Sequence, residues 1–343
     1  MSYNDRLEYD DDFVFTNEHL AEVTAGDVVA WFNHRAYGVD VSSENDRPVH
    51  ARANTLYYWK KALSSFFPNR NMTWDELTKR GNPTRSQELN DMIRKVKKFE
   101  VRGQGVESKA RRPLKEAEFR RIIQELRRVD NDIIANYGIP ALLAFQFHML
   151  GRVDDSSKWM KKNVGVHDAY PKKAGKARLA WSKNVNDERD APWQHLFGCM
   201  DPIFCVFIHV GLWLEIFHGI VPEARDRPFV FAFTDDMDDI EKAAAQVKAK
   251  VYSVVRPLLD VIGLDIDGLL GSHSIRKYAS TWVRSNGISK DDKDHRGRWK
   301  NSTRISDGYG DVQLDFVGAK VAAVLCPGGV CNYAVKDPAC TKE

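Results

Sequence analysis

The sequence predicts a mainly α-helical protein with one small antiparallel β-sheet, divided into two domains. Three observations carry this. Apolar residues recur at spacings of three and four through most of the 343 residues, the pattern of amphipathic helices. A single stretch, "ARLAWSKN" (177–184), alternates apolar and polar residues as a half-buried strand does. The segment "GQGVESKARRP" (103–113) combines glycine, proline and charge with no apolar period, the composition of a tether.

In chain order, residues 1–24 form an acidic leader that is expected to be disordered up to about Asp12. Helices are expected at "TAGDVVAWFNHRAYG" and at "ARANTLYYWKKALSSFF". In the second, Leu56, Trp59, Leu63, Phe66 and Phe67 share a face and Pro68 stops the helix. After "MTWDELTKRGNP", Thr84 and Gln87 suggest a capping box at the start of "TRSQELNDMIRKVKKFEVRG". Residues 25–102 thus read as a helical domain of about four helices, 103–113 as the linker and 114–343 as a larger domain. There, "LKEAEFRRIIQELRR", "NDIIANYGIPALLAFQFHML", 202–217, 235–262, 272–285 and 289–300 read as helices around the small sheet.

Composition narrows the function classes. The longest apolar run, "IFCVFIHVGLWLEIF", carries a histidine and a glutamate, so no membrane span is expected. The five cysteines are odd in number and lack CxxC spacing, which reads as reduced thiols and neither as a disulfide frame nor as a metal site. The net charge of +3 hides a strong polarity. Residues 1–50 hold eleven acidic against three basic side chains, whereas 94–128 hold thirteen basic against five acidic. Arg94, Lys95, Lys97, Lys98, Arg102, Lys109, Arg111 and Arg112 lie in that basic block and are the candidate contacts to a polyanion such as DNA.

The candidate chemistry begins at "SHSIRKYASTWVRSNG". His273 and Arg276 stand three apart on one helical face and can address a single ligand. Upstream, "HMLGRVDD" places Arg152 after an apolar helix, with Asp155 three positions on; downstream, "DHRGRWKNSTRISDGYGD" supplies His295, Trp299 and Tyr309. Arg152, a lysine near a strand turn, His273-x-x-Arg276, Trp299 and Tyr309, in that order, resemble the tyrosine recombinase (phage-integrase) family. Within it, "RGRWK" and the tail from "YGDVQLDF" are most similar to eukaryotic Crypton-type mobile-element recombinases.

That resemblance spans about residues 25–330. It implies a helical, SAM-like core-binding domain and a catalytic domain that together clamp duplex DNA. It implies site-specific recombination or integration through a 3′-phosphotyrosyl intermediate, with neither ATP nor a metal or other cofactor. Arg152 and Arg276 would hold the scissile phosphate, His273 would assist proton transfer, and Tyr309 would attack. A hairpin lysine would protonate the leaving oxygen; Lys183 is the first choice, with Lys176 and Lys172 behind it. Trp299 stands where most members have histidine, and His295 is the alternative occupant. Tyr309 follows Trp299 one position later than is common in the family. The resemblance also implies a homo-tetramer on two DNA sites, and a nuclear location in a eukaryotic cell or, otherwise, the cytoplasm with its DNA. A DNA-binding descendant that no longer cleaves and a type IB topoisomerase are the alternative readings.

Overall fold

A computed structural model describes residues 10, 12–108, 110–168, 170, 173–182, 185, 191–231, 233, 239–264, 270–299 and 315–331. It is mainly helical with a small antiparallel sheet. The chain divides into two compact units, Met1–Lys109 and Ala110–Glu343. Lys109, Lys172, Lys183 and Tyr309 lie outside the described residues.

The first unit holds helices α1 (Asn17–Ala21), α2 (Ala25–Tyr37), α3 (Ala53–Ser64) and α4 (Gln87–Val101). Helix α1 falls in the stretch read as leader, where Thr16 and His19 form a reciprocal cap. Phe32 of α2, Leu56 of α3, and Leu89, Ile93 and Val96 of α4 are fully buried together. Each set follows helical spacing, so burial of these apolar faces holds the three helices to one another. Phe66, expected on the apolar face of α3, is instead exposed, because the helix ends at Ser64. The cap of α4 also differs from expectation. Ser86 accepts from the Leu89 amide, while Thr84 sits in a 3₁₀ turn and donates its hydroxyl hydrogen to Asn82. Asn82 is fully buried, and its amide nitrogen donates to Ser64 and Arg70, which ties the preceding "RGNP" turn to α3.

The second unit is built around α6 (Ile139–Met149), whose residues are all buried. It is entered through a π-helical turn, Ile134–Gly138, that places Pro140 in the first helical turn, where a missing N–H costs little. Packed around it are α5 (Glu116–Leu126), α7 (Val153–Ser157), α8 (Val206–Ile220), α9 (Ile240–Val261), α10 (Ser272–Ser285), α11 (Lys290–Arg296) and α12 (Asp315–Val324). Phe145 stacks on Trp159 with ring centroids 3.7 Å apart, and Trp213 donates to the Val230 carbonyl at 2.8 Å.

The sheet has the order β1 (Val164–Val166), β2 (Gly175–Ala177), β3 (Gln194–Leu196), all antiparallel. The strand expected over 177–184 therefore lies earlier. The Arg178 amide still bonds to the Asn163 carbonyl in register with β1, and its guanidinium bonds to the Asn163 side chain, so the pairing with β1 ends at Arg178 among the described residues. A separate two-residue ladder joins β4 (Gly198–Cys199) to β5 (Val330–Cys331). Among the described residues, no helix is long and apolar enough to cross a membrane.

One core histidine makes stability sensitive to acid. His209 on α8 is 3% exposed, lies 3.0 Å from Arg127 Nη2 through Nδ1, and donates from Nε2 to the Ile203 carbonyl at 2.9 Å. Burial pushes its pKa down to about 4, the Ile203 bond opposes this, and Arg127 adds to it. Between that value and the ordinary 6.5 the unfolded chain binds the extra proton, so stability falls as pH drops through this window. The limiting slope is about 1.4 kcal/mol per pH unit. Urea midpoints of wild type are expected to decline more steeply below pH 6.5 than those of His209→Gln; equal slopes would show that this histidine is free to protonate.

Candidate phosphate-binding site

Two turns bring the candidate residues together. The first follows α6, where Leu150 takes a left-handed conformation (φ 46°) and the Gly151 amide bonds back to the Gln146 carbonyl at 3.0 Å. Gly151 is needed there because a Cβ would lie 2.8 Å from Ser156 Oγ. The chain leaves this turn with Arg152 at the N-cap of α7, and Asp155 accepts from the Arg152 amide at 3.2 Å. The spacing noted in the sequence is thus a helix-capping contact that also aims the carboxylate inward.

Asp155 is 1% exposed, and its Oδ2 lies 3.8 Å from Arg152 Nη1 and 3.6 Å from Arg276 Nη1. Neither of these Nη1 atoms has a hydrogen-bond partner, although both are buried. Arg276 is held by a further bond, Nη2 to the Gly297 carbonyl at 2.6 Å.

The second turn, after α11, supplies that carbonyl. Arg298 is left-handed (φ 55°), and the Trp299 ring folds back over Gly297, where a Cβ would stand 2.0 Å from the indole. The ring lies between two cations, with Arg276 Cζ 4.4 Å and Lys293 Nζ 4.6 Å from its centroid. This is the arrangement in which an aromatic face stabilises a cation without neutralising it. Lys293 is also paired to Asp294 at 2.7 Å.

His273 is exposed one turn before Arg276 on α10. Partial burial, then Arg152, Arg276 and Lys277, lower its pKa below the usual imidazole range, with Asp155 opposing. At neutral pH it is therefore uncharged and can accept a proton. His273, Arg276, Lys277, Ser280, Thr281, Pro113 and Trp299 line one open recess of about 350 Å³.

Two buried arginines that the sequence reading passed over flank this turn, and one of them, Arg298, joins the site. Arg296 and Arg298 are both buried, and Arg298 Nη1 donates to the Met149 and Arg296 carbonyls at 3.3 Å. Arg276 has its pKa pushed down to about 9, first by burial and then by Arg298 and Arg152, while Asp155 opposes. Burial likewise pushes Arg298 to about 10. These guanidiniums stay charged at neutral pH and share one inward-facing carboxylate, so the cluster is electrostatically short of an anion. The only signal for them in the sequence was the doubled arginine of "RGRW".

The other candidates are placed as follows. His295 lines a small recess with Trp193, Gln194 and Val321, whereas the Trp299 ring lies against Arg276. Lys176, on β2, pairs with Asp168 at 2.5 Å and lies 5.1 Å from the Trp193 ring centroid. In the first unit Arg94, Lys97, Lys98 and Arg102 are exposed on or just after α4. Arg94 pairs with Asp91 at 2.6 Å, and Lys95 donates to the Ser43 carbonyl at 3.1 Å. Arg111 is half-buried, and its carbonyl accepts from Lys277. Arg112 departs from the expected role of a DNA contact. Its guanidinium grips Glu118 in a fork at 2.8 and 2.7 Å and donates to the Leu264 carbonyl, which makes it a structural clamp.

No protein-family model and no curated protein matches this chain.

Proposed function

We propose that the protein breaks and rejoins duplex DNA by the tyrosine recombinase reaction that its sequence resembles. The observation that carries this reading is the convergence of Arg152 and Arg276 on one buried carboxylate, beside His273 and Trp299, with buried guanidinium nitrogens left unpartnered. Phosphoryl transfer loads charge onto the non-bridging oxygens, and two fixed guanidinium forks stabilise that charge through short, charge-assisted bonds.

In this reaction Tyr309 gives up its phenolic proton, with neutral His273 as the acceptor, and its oxygen attacks phosphorus. The P–O5′ bond breaks, and the leaving oxygen takes a proton from a lysine, Lys183 as the first choice, with Lys176 on β2 behind it. The 3′-phosphotyrosyl link keeps the phosphodiester energy, so the reverse step reseals a strand without an external energy source. The exposed cations of α4 add backbone contacts whose strength falls steeply with salt.

The test is covalent capture. Wild type incubated with a pool of nicked duplexes of randomised sequence is expected to yield detergent-resistant protein–DNA adducts, and Tyr309→Phe none. Adducts that persist in Tyr309→Phe would move the nucleophile to another residue. Salt-sensitive DNA binding with no adduct from wild type would favour the non-cleaving descendant.

A further inference from the structure

Four elements of the second unit meet at a group of thiols around a buried histidine. His148 is the penultimate residue of α6, Cys199 lies in β4, Cys205 caps the start of α8 and Cys326 follows α12. All four are at least 96% buried, with exposures of 0%, 1%, 0% and 4%. One ligand atom from each of His148, Cys199 and Cys326 lies within 4.8 Å of the other two. Cys205 is not part of that mutually close trio but lies beside it, its Sγ accepting from the Cys199 amide at 3.4 Å. His148, the Cys199–Cys205 segment and Cys326 are far apart in sequence. The β4–β5 ladder and the left-handed Gly328 and Gly329 (φ 79° and 103°) bring Cys326 back to Cys199.

We propose that His148, Cys199, Cys205 and Cys326 bind a structural zinc ion. Three sulfurs and one imidazole are the donor set zinc prefers in closed tetrahedral sites. The His148 Nε2 to Cys199 Sγ separation is 3.6 Å. This matches the edge of about 3.5 Å that Zn–N and Zn–S bonds of about 2.0 and 2.3 Å subtend at a tetrahedral angle. Nε2 also lies 2.8 Å from the Phe204 carbonyl, a contact that ligation replaces.

Charge supplies an independent argument. Arg296 is 2% exposed, and its Nε and Nη2 bond only carbonyl oxygens, those of His148 and His195. Its Nη1 is buried without a hydrogen-bond partner, and among the described residues no carboxylate pairs with it. Cys326 is close enough to act on it electrostatically. A buried cation without a counter-charge is strongly unfavourable. Zinc binding releases one proton from each of the three thiols, and Zn²⁺ with three thiolates and a neutral imidazole carries one net negative charge. That charge sits beside Arg296 and neutralises it. A closed site of this kind leaves no open coordination position, so the zinc takes no part in the DNA reaction, and the proposal stands apart from that reading.

The full-length protein, purified without chelator, is expected to carry about one zinc per chain by elemental analysis. Cys331→Ser, outside the donor set, should retain it, whereas Cys199→Ser and Cys326→Ser should lose it. Exchange of cobalt into wild type should give a thiolate-to-metal charge-transfer band and the intense visible bands of tetrahedral Co²⁺. Zinc in wild type no higher than in Cys326→Ser would overturn the proposal, as would a cobalt form without the thiolate band. If the serine variants fail to fold, the wild-type cobalt spectrum decides the question alone.

Discussion

Arg276→Ala is expected to lower covalent adduct formation by about 10²–10³-fold, the usual loss when one preorganised donor to a developing oxyanion is removed. DNA affinity should change little, because it is spread over many phosphate contacts; the salt dependence should lose about one unit of slope. The informative control is Arg276→Lys. Lysine keeps the charge near Asp155 and Trp299 but cannot offer a planar fork to two oxygens while a third nitrogen holds the Gly297 carbonyl. Arg276→Lys should therefore fold and bind as wild type yet form adducts nearly as poorly as the alanine variant. Full activity in Arg276→Lys would mean that charge alone, and no directed bonding, is what the site requires.

The second large effect belongs to Asp155. Asparagine at this position removes the one carboxylate, among the described residues, that faces both Arg152 and Arg276, and leaves the buried Arg276 and the partly exposed Arg152 facing each other. Breaking a buried pair in this way typically costs about 3–5 kcal/mol, which urea denaturation would read directly. Sulfate should restore much of the loss at ionic strength matched with chloride, because it offers the arginines the same tetrahedral oxygens as a phosphodiester. A variant as stable as wild type would show that the guanidiniums are solvated, and would remove the basis for a preorganised clamp.

Much of this arrangement was legible in the sequence, and the limits have physical causes. Helix α10 was readable to the residue because Ile275, Ala279 and Val283 repeat at a spacing of four and are buried together. The His273–Arg276 pair then follows from helical geometry alone. The strand was displaced because the apolar alternation is not matched by burial: Leu179 is 2% exposed but Trp181, two positions on, 50%, and among the described residues no ladder continues there. Arg296 and Arg298 escaped because their burial depends on a left-handed residue in a polar stretch, where no period exists to read. The His–Cys group escaped for a different reason, since His148 and Cys326 come from stretches far from the Cys199–Cys205 segment and only the fold brings them to it.

The two-residue ladder between Gly198–Cys199 and Val330–Cys331 bears on how the protein is made. It closes a loop that contains α8 to α12, and so both His273 and Arg276. Contacts so distant along the chain are among the slowest to form, and this one must wait until Val330–Cys331 has left the ribosome. A nascent chain halted anywhere before Val330 lacks that closure, so the segment that carries His273 and Arg276 is tied at only one end until that strand has been made.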